Sequence, residues 1–380
     1  MPKKSKKKWD GILFPPAVGY KFSVLFLLYR KNCISPRYYG RMIMLGILNL
    51  INAPFRIYEQ IFINPKIKKE KLQQPPIFIL GHWRSGTTHL HNLLCSVPDA
   101  AFVNTYQSVF PDTLFTKAGN FVFQKMMQML IPGTRRGDNV KLNADFPQEE
   151  GFILGNTVPM ALYYFWYFPE NADFFYEQAI NFNVKAAKKE AWFDNYELII
   201  KKAVKNTKGN YFVSKNPPNT GRIKVLHDKF PNAKFIHIHR NPVEVYLSTR
   251  HFFTTVLPSL QLQKFTKQEI EELVFSFFKK IMKKYLEERN QIPKEKLVEV
   301  AFADLEKEPL KELERIYKHL NLAGFDKAKP YFKKYAESKK GYKKNAYKIE
   351  RSLLNRILSE WDFAMEAWNY GLPENIEIVD

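Results

Sequence analysis

The chain has 380 residues, of which 45% are hydrophobic and 15% aromatic, enough for one large core or two modest domains and too apolar for extended disorder. Its net charge of +21, from 59 Lys and Arg against 38 Asp and Glu, calls for an anionic partner: a phosphate-bearing ligand, an acidic membrane surface or nucleic acid. Two cysteines, Cys33 and Cys95, make no disulfide framework and fit a reducing, cytoplasmic compartment.

In chain order, residues 2–8 carry five lysines and read as a basic tail. No RNA- or DNA-binding signature follows, so nucleic acid is not expected as a partner. Pro15 and Pro16 precede a broken apolar run without a small-residue cleavage site, so no cleaved secretion signal is expected. Residues 1–70 form a unit of their own, the tail followed by two amphipathic helices. Their apolar runs, 24–29 and 42–51, are punctuated by Arg30, Lys31, Arg37, Arg41 and Arg56. Neither run reaches the roughly 18–20 apolar residues that cross a bilayer. Two placements stay open. The helices pack on the rest of the chain, or they lie peripherally on an anionic inner membrane face with Arg and Lys at the headgroups.

Residues 71–380 read as the second unit, in which strand and helix alternate. Strands are expected at 77–80, 101–104, 211–214, 234–239 and 297–302. Helices are expected at 87–97, 145–156 (Asp145 as N-cap, Gln148 three residues on), 186–206, 220–230, 242–252, 266–289, 309–320 and 352–368. Short apolar strands between helices indicate an α/β fold with a parallel sheet.

The sharpest local signal is GHWRSGTT, residues 81–88, directly after a strand and directly before a helix. Two glycines let backbone N–H groups curl inward, and the helix start adds further N–H groups and its positive dipole end. Thr87 stands where the nucleotide-triphosphate loop G-x-x-x-x-G-K-[ST] has its lysine, and a cation appears earlier as Arg84. That exchange speaks against ATP chemistry with Mg²⁺ and for one anionic group held by Arg84 and the loop. The plainer alternative is a tight turn without a ligand. A second signal is KFIHIHRNPVEVYLS, residues 234–248, with Arg240 at a strand end and Ser248 two turns into the next helix. In a parallel sheet the strand ends open on one crevice, so Arg240 faces the same space as the loop and suits a second phosphate.

These motifs resemble those of the sulfotransferases that use 3′-phosphoadenosine-5′-phosphosulfate (PAPS), bacterial members above all. PIFILGHWRSGTTHLHNLL (76–94) is similar to the family's 5′-phosphosulfate loop, and Arg240 with Ser248 to its 3′-phosphate motif. FVSKNPPN (212–219) resembles its strand with a Lys-x-Pro element, and VAFADLEKEP (300–309) its late strand and helix. The resemblance implies a P-loop-like three-layer fold, with a central parallel sheet of about five strands wrapped by helices. It also implies that Arg84, Ser85, Gly86, Thr87 and Thr88 bind the 5′-phosphosulfate, and that Arg240 and Ser248 hold the 3′-phosphate. YKKN (342–345), with Lys343 and Lys344, is similar to the basic segment that closes over the nucleotide.

Sulfuryl transfer needs a base for the acceptor proton, charge to meet the sulfuryl oxygens and leaving phosphate, and alignment. Arg84 and Lys215 supply charge. Some family members carry an acid where Thr105 stands here, so that base is missing. DFPQEE (145–150) resembles an acidic family element, which makes Glu149 the first candidate base and Glu150 the second. Both acids also fit a plain helix start. His237 and His239 share a strand face, but no third ligand appears and no metal is expected. The aromatic runs 163–168 and 174–176 suit either an apolar acceptor pocket or core packing. The expected function is sulfuryl transfer from PAPS, leaving PAP, to a hydroxyl or amine of a lipid-like or carbohydrate acceptor. The alternatives are a P-loop kinase or NTPase, and a non-enzymatic nucleotide-binding protein at a membrane surface.

Overall fold

The computed structural model describes residues 15–130, 143–339, 347–373 and 376–379. Three helices come first: α1 (Phe22–Lys31), α2 (Tyr39–Tyr58) and, after a π-helical turn at Glu59–Ile63, α3 (Asn64–Lys69). Strands β1 (Ile77–Leu80), β2 (Ala100–Ala101), β3 (Tyr211–Lys215), β4 (Lys234–His239) and β5 (Leu297–Ala301) form a parallel sheet in the order β2-β3-β1-β4-β5. Helices α4 (Thr87–Leu94), α5 (Thr105–Val109), α6 (Lys117–Leu130), α7 (Ala172–Ala179) and α8 (Ala186–Thr207) lie between β1 and β3 in sequence. Helix α9 (Ile223–Lys229) links β3 to β4, and α10 (Pro242–Leu260) with α11 (Lys267–Glu288) links β4 to β5. Helices α12 (Phe302–Lys307), α13 (Pro309–His319) and α14 (Phe325–Glu337) follow. A small parallel pair, β6 (Tyr347–Glu350) and β7 (Ile376–Val379), encloses α15 (Arg351–Glu360) and α16 (Asp362–Ala367) in sequence.

β1 is apolar throughout and wholly buried, as a central strand covered on both faces must be. Its alternation divides the core. Phe78 and Leu80 join the aromatic-rich side, where Phe78 stacks on Phe235 with centroids 5.5 Å apart. Ile77 and Ile79 face Leu90, Leu93, Leu313 and Ile316 on the other side. The result is the expected three-layer α/β arrangement.

Most expected elements appear close to their expected bounds; the helix expected at 352–368 is broken at Trp361 into α15 and α16, and three further elements differ. The helix expected at 145–156 is absent. Thr105 and Gln148 donate backbone hydrogen bonds to Phe146 and Val103 at 2.9 and 2.7 Å, and Asn104 bridges Pro147 antiparallel. The segment spends its backbone groups on a neighbour, and only Glu150–Phe152 turns, as a short 3₁₀ helix. The strand expected at 101–104 stops at Ala101 because Asn104 caps α5, accepting from the Gln107 N–H at 2.8 Å. The helix expected at 242–252 runs on to Leu260 and contains Pro258.

The N-terminal helices pack on the remainder through core side chains such as Val24, Leu28 and Leu45 and through buried polar groups. Lys202 of α8 is buried between Glu59 and Asp112, at 3.0 and 2.8 Å. Glu59 also accepts from the Phe115 and Thr116 N–H groups, and Gln60 donates to Asp112 at 3.0 Å. The Lys202 ammonium holds the Asp112 carboxyl below its usual range although burial opposes this, and the two acids raise Lys202. Lys202→Met would leave both carboxylates buried without their cation. The expected loss is about 3–5 kcal/mol in chemical denaturation, and an unchanged denaturation midpoint would contradict it.

Candidate active site

β1, β3, β4 and β5 end on one edge, and the register aligns Ile79 with Lys215 and Leu80 with His237. The 81–88 loop leaves β1 at that edge. Gly81 has φ +141° and Gly86 φ +98°, both in the region that favours glycine. A Cβ on Gly86 would come 2.2 Å from the Phe302 ring, and one on Gly81 2.4 Å from the Ile238 carbonyl. The loop therefore lies flat on the ends of β4 and β5. Thr220 receives the Gly81 N–H at 2.8 Å. α4 starts at Thr87; His89 and Leu90 donate to the Gly86 carbonyl at 3.0 and 3.2 Å, which leaves the Thr87 and Thr88 N–H groups without a partner within the helix.

Arg84 itself adopts φ +71°, and its Nε donates to Ser248 Oγ at 2.9 Å. Its guanidinium lies 5.5 Å from the Phe252 ring centroid. Thus the loop arginine and the serine of the second motif, 164 residues apart, meet directly. Ser85 and Thr87 are buried in the turn and Thr88 is half-buried. Arg240 is held by Glu244 one turn on, at 3.1 and 3.0 Å. Its guanidinium sits 4.9 Å from the centroid of Phe302, the ring that also backs Gly86. Lys343 and Lys344 fall outside the described residues.

A second cluster adjoins the loop. Lys215, buried at the end of β3, donates to Glu149 at 2.6 Å. The other Glu149 oxygen accepts from the Tyr163 hydroxyl, which itself accepts from the Trp83 indole N–H at 2.9 Å. Trp83 precedes Arg84, so the carboxylate is tied to the loop by two side chains. Glu150 points elsewhere. It accepts from Tyr196 at 2.7 Å, from Ser214, from Asn219 at 3.3 Å and from the Lys215 N–H at 3.2 Å. Burial raises its carboxyl above the usual range, against those donors.

Trp83, Tyr163 and Phe302 are site residues that the sequence reading did not single out. Trp83 lay inside the motif and Phe302 within the late-strand match. Tyr163 belonged to the aromatic run 163–168, which is buried and packs around the loop, with Phe165 against Trp83 at 6.2 Å. Of the run 174–176, Phe174 is exposed while Phe175 and Tyr176 are buried. His237 and His239 stack on Trp368, at 5.4 and 4.9 Å. Among the described residues no three His, Cys, Asp or Glu side chains gather in a way that could hold a metal ion. A separate cavity of about 290 Å³ opens beside α3 and α8, lined by Asn64, Lys68, Asn195 and Lys202 among others. No residue of the loop lines it.

A sequence model described as the sulfotransferase family matches residues 75–327. The chain belongs to that family. It is a sulfotransferase, an enzyme by descent as well as by motif. Two curated relatives are each 27% identical over 366 residues, covering 96% of this chain and 93% of theirs. They are the omega-hydroxy-beta-dihydromenaquinone-9 sulfotransferases Stf3 of Mycobacterium bovis and Mycobacterium tuberculosis. Among solved structures, sulfotransferase STF9 of Mycobacterium avium superposes with a TM-score of 0.68 at 16% identity, covering 93% of this chain and 98% of that one. Sulfotransferase STF1 of Mycobacterium tuberculosis gives 0.64 at 18%, covering 89% and 90%. These likenesses confirm the fold of the sulfotransferase.

Three buried histidines and the half-buried His239 make the acid stability of the sulfotransferase testable. Burial pushes His82 down to about 3 and His239 to about 4, and holds His237 well below 6.5; burial and Lys215 together push His91 to about 3. Each binds its proton more readily when unfolded. Their contribution is therefore complete above pH 6.5 and declines as pH falls toward those values. Each should add up to about 1.4 kcal/mol per pH unit to the slope of stability against pH between 6 and 5. His82→Gln should flatten that slope, and equal slopes would contradict the assignment.

Proposed function

We propose that the enzyme binds PAPS at the 81–88 loop and transfers the sulfuryl group to a hydroxyl of an apolar, lipid-like acceptor. The observation that carries the donor assignment is the direct bond between Arg84 and Ser248. It joins the loop to the second anion motif in a site with Thr87 in place of the ATPase lysine. The residues fit such a donor. The start of α4 leaves the Thr87 and Thr88 N–H groups without a helical partner, and two guanidinium groups flank the loop. In this reading Arg84, Ser85, Gly86, Thr87 and Thr88 hold the 5′ end, and Arg240 and Ser248 hold the 3′-phosphate. When bound, PAPS supplies an activated sulfuryl group on a good leaving phosphate.

The chain's own residues then do the rest. Glu149 takes the acceptor proton as the new O–S bond forms and the S–O bond to phosphate breaks. Tyr163 and Lys215 hold the carboxylate toward the loop. Arg84 and Lys215 meet the charge on the sulfuryl oxygens and leaving group. Glu150, whose acceptor positions are taken by Tyr196, Ser214, Asn219 and the Lys215 N–H, positions Lys215. The acceptor class rests on the relatives, which are named for a hydroxylated menaquinone derivative and align over 96% of this chain. It rests also on the aromatic wall beside Arg84, where Phe252 meets Trp166 at 6.5 Å. Both favour a lipid alcohol over a carbohydrate.

PAP should raise the melting temperature without Mg²⁺, and a larger rise with ATP and Mg²⁺ would favour the kinase reading. Arg240→Ala and Ser248→Ala should weaken PAP more than adenosine 5′-monophosphate, by about 1.5–3 kcal/mol each. Equal losses for both nucleotides would remove the 3′-phosphate role.

Glu149→Gln should retain PAP binding and cut turnover of a lipid alcohol with labelled PAPS by about 10²–10⁴-fold. Glu150→Gln should instead cost fold stability, because an amide faces donors that need an acceptor. Near-normal turnover in Glu149→Gln would move the base elsewhere.

A further inference from the structure

The helix pair α2 and α3 is built inside out. Asn49, Asn52, Arg56 and Glu59 point inward and are 0–4% exposed, whereas Ile43, Ile47, Leu50, Ile51, Ile57 and Ile61 are 52–59% exposed. Three of these four inward polar groups have partners, whereas the Asn52 amide is buried without a hydrogen bond. Asn49 donates to the Val18 and Tyr20 carbonyls, Arg56 to the Tyr20 carbonyl at 2.6 Å, and Glu59 is paired with Lys202. This fixes the rotation of the helix, so its apolar stripe faces outward by construction. Exposed apolar positions recur every three or four residues, the period of one helical face. Isolated exposed aliphatics are ordinary, but a contiguous stripe of this length marks an interaction surface.

Neighbouring elements extend the surface. Phe22 and Phe26 of α1 are 51% and 56% exposed. α6 packs on α2 through Phe55 and Phe123, 5.6 Å apart, and exposes Phe121 and Val122. The charge around it has one sign. Residues 15–69 contain nine Lys and Arg and one acid, Glu59, which is buried with Lys202. The exposed cations stand at the ends of the stripe, Arg37 before α2 and Lys66, Lys68 and Lys69 in α3. No helix among the described residues is long and apolar enough to cross a membrane.

We propose that this face docks in the plane of an anionic lipid bilayer, with the α2 stripe and α1 and α6 aromatics among the acyl chains and the basic ends at the headgroups. Charge selects a bilayer over a second copy of the chain, since two such surfaces would bring their cations together. The proposal goes beyond the donor and acceptor assignment and does not depend on it. Arg41 of α2 donates to the Gln261 carbonyl at the end of α10, the helix that carries Ser248. Thirteen residues of helix and turn separate Ser248 from that point, about 20 Å at 1.5 Å per residue. Docking would thus bring the loop within one helix length of the bilayer surface.

The test uses the full chain and extruded vesicles free of any acceptor, either pure phosphatidylcholine or phosphatidylcholine with phosphatidylglycerol. The full chain should sediment with the anionic vesicles, and added salt should weaken that binding without abolishing it. The double variant Ile47→Glu, Ile51→Glu should bind at least about tenfold more weakly. Its PAP-induced thermal shift should be unchanged, which keeps this result separate from the donor assignment. Leu50→Trp, a change that retains apolar character, should show indole fluorescence quenched by bromine-labelled acyl chains. No vesicle binding, equal binding by the double variant, or an unquenched Trp would overturn the proposal. So would a dimer in light scattering that the double variant dissolves while vesicle binding is absent, which would assign the face to a second copy.

Discussion

β1 lies between β3 and β4 with Ile79 opposite Lys215 and Leu80 opposite His237, and the site is built outward from that register. A slip of one residue would turn Phe78 into the layer of Leu90 and Leu93 and Ile79 into the aromatic layer, so packing on both faces holds the alignment. With it fixed, the loop after Leu80, the ammonium of Lys215 and the guanidinium of Arg240 leave the same edge of the sheet. Gly81 and Gly86 then have no space for a side chain, because Ile238 and Phe302 occupy it.

Two buried polar networks use the same device, a buried lysine paired with carboxylate, for different ends. Lys202 with Glu59 and Asp112 attaches the N-terminal helices to α8. Lys215 with Glu149, tied through Tyr163 to Trp83, joins β3 to the loop. In the second network Glu150 fills the space beneath Lys215 and accepts from four donors. Adjacent acids therefore meet different surroundings, one beside the loop and one beneath the sheet edge. That contrast underlies the separate roles proposed for them.

Of the two placements that composition left open for the N-terminal helices, packing on the rest of the chain is the one observed, and membrane contact is proposed. The helices pack on the catalytic core through buried polar residues and a few core side chains such as Leu45, and the same packing turns most aliphatic side chains of α2 outward. A helix that buries Asn49, Asn52 and Arg56 and exposes Ile47, Leu50 and Ile51 reverses the usual sorting of a globular protein. The reversal is what gives the docking proposal its physical basis.

The sequence by itself determined the family, the parallel α/β sheet and the bounds of β1 and β4, because apolar strands bounded by glycine, proline and charge are local signals. It also marked the loop, Arg84, Lys215, Arg240 and Ser248, since motif spacing is written along the chain. Only the tertiary structure decided that Arg84 bonds Ser248 across 164 residues. The same holds for Tyr163, an aromatic within a buried run whose hydroxyl joins Trp83 to Glu149. The segment 145–150 shows the limit most clearly. Its caps and acids read as a helix start, but its backbone groups pair with residues 103–105, and a non-local hydrogen bond outweighs a local propensity. Which face of α2 points inward was likewise undecidable from its pattern, because the pattern fixes that a face is apolar and not what covers it.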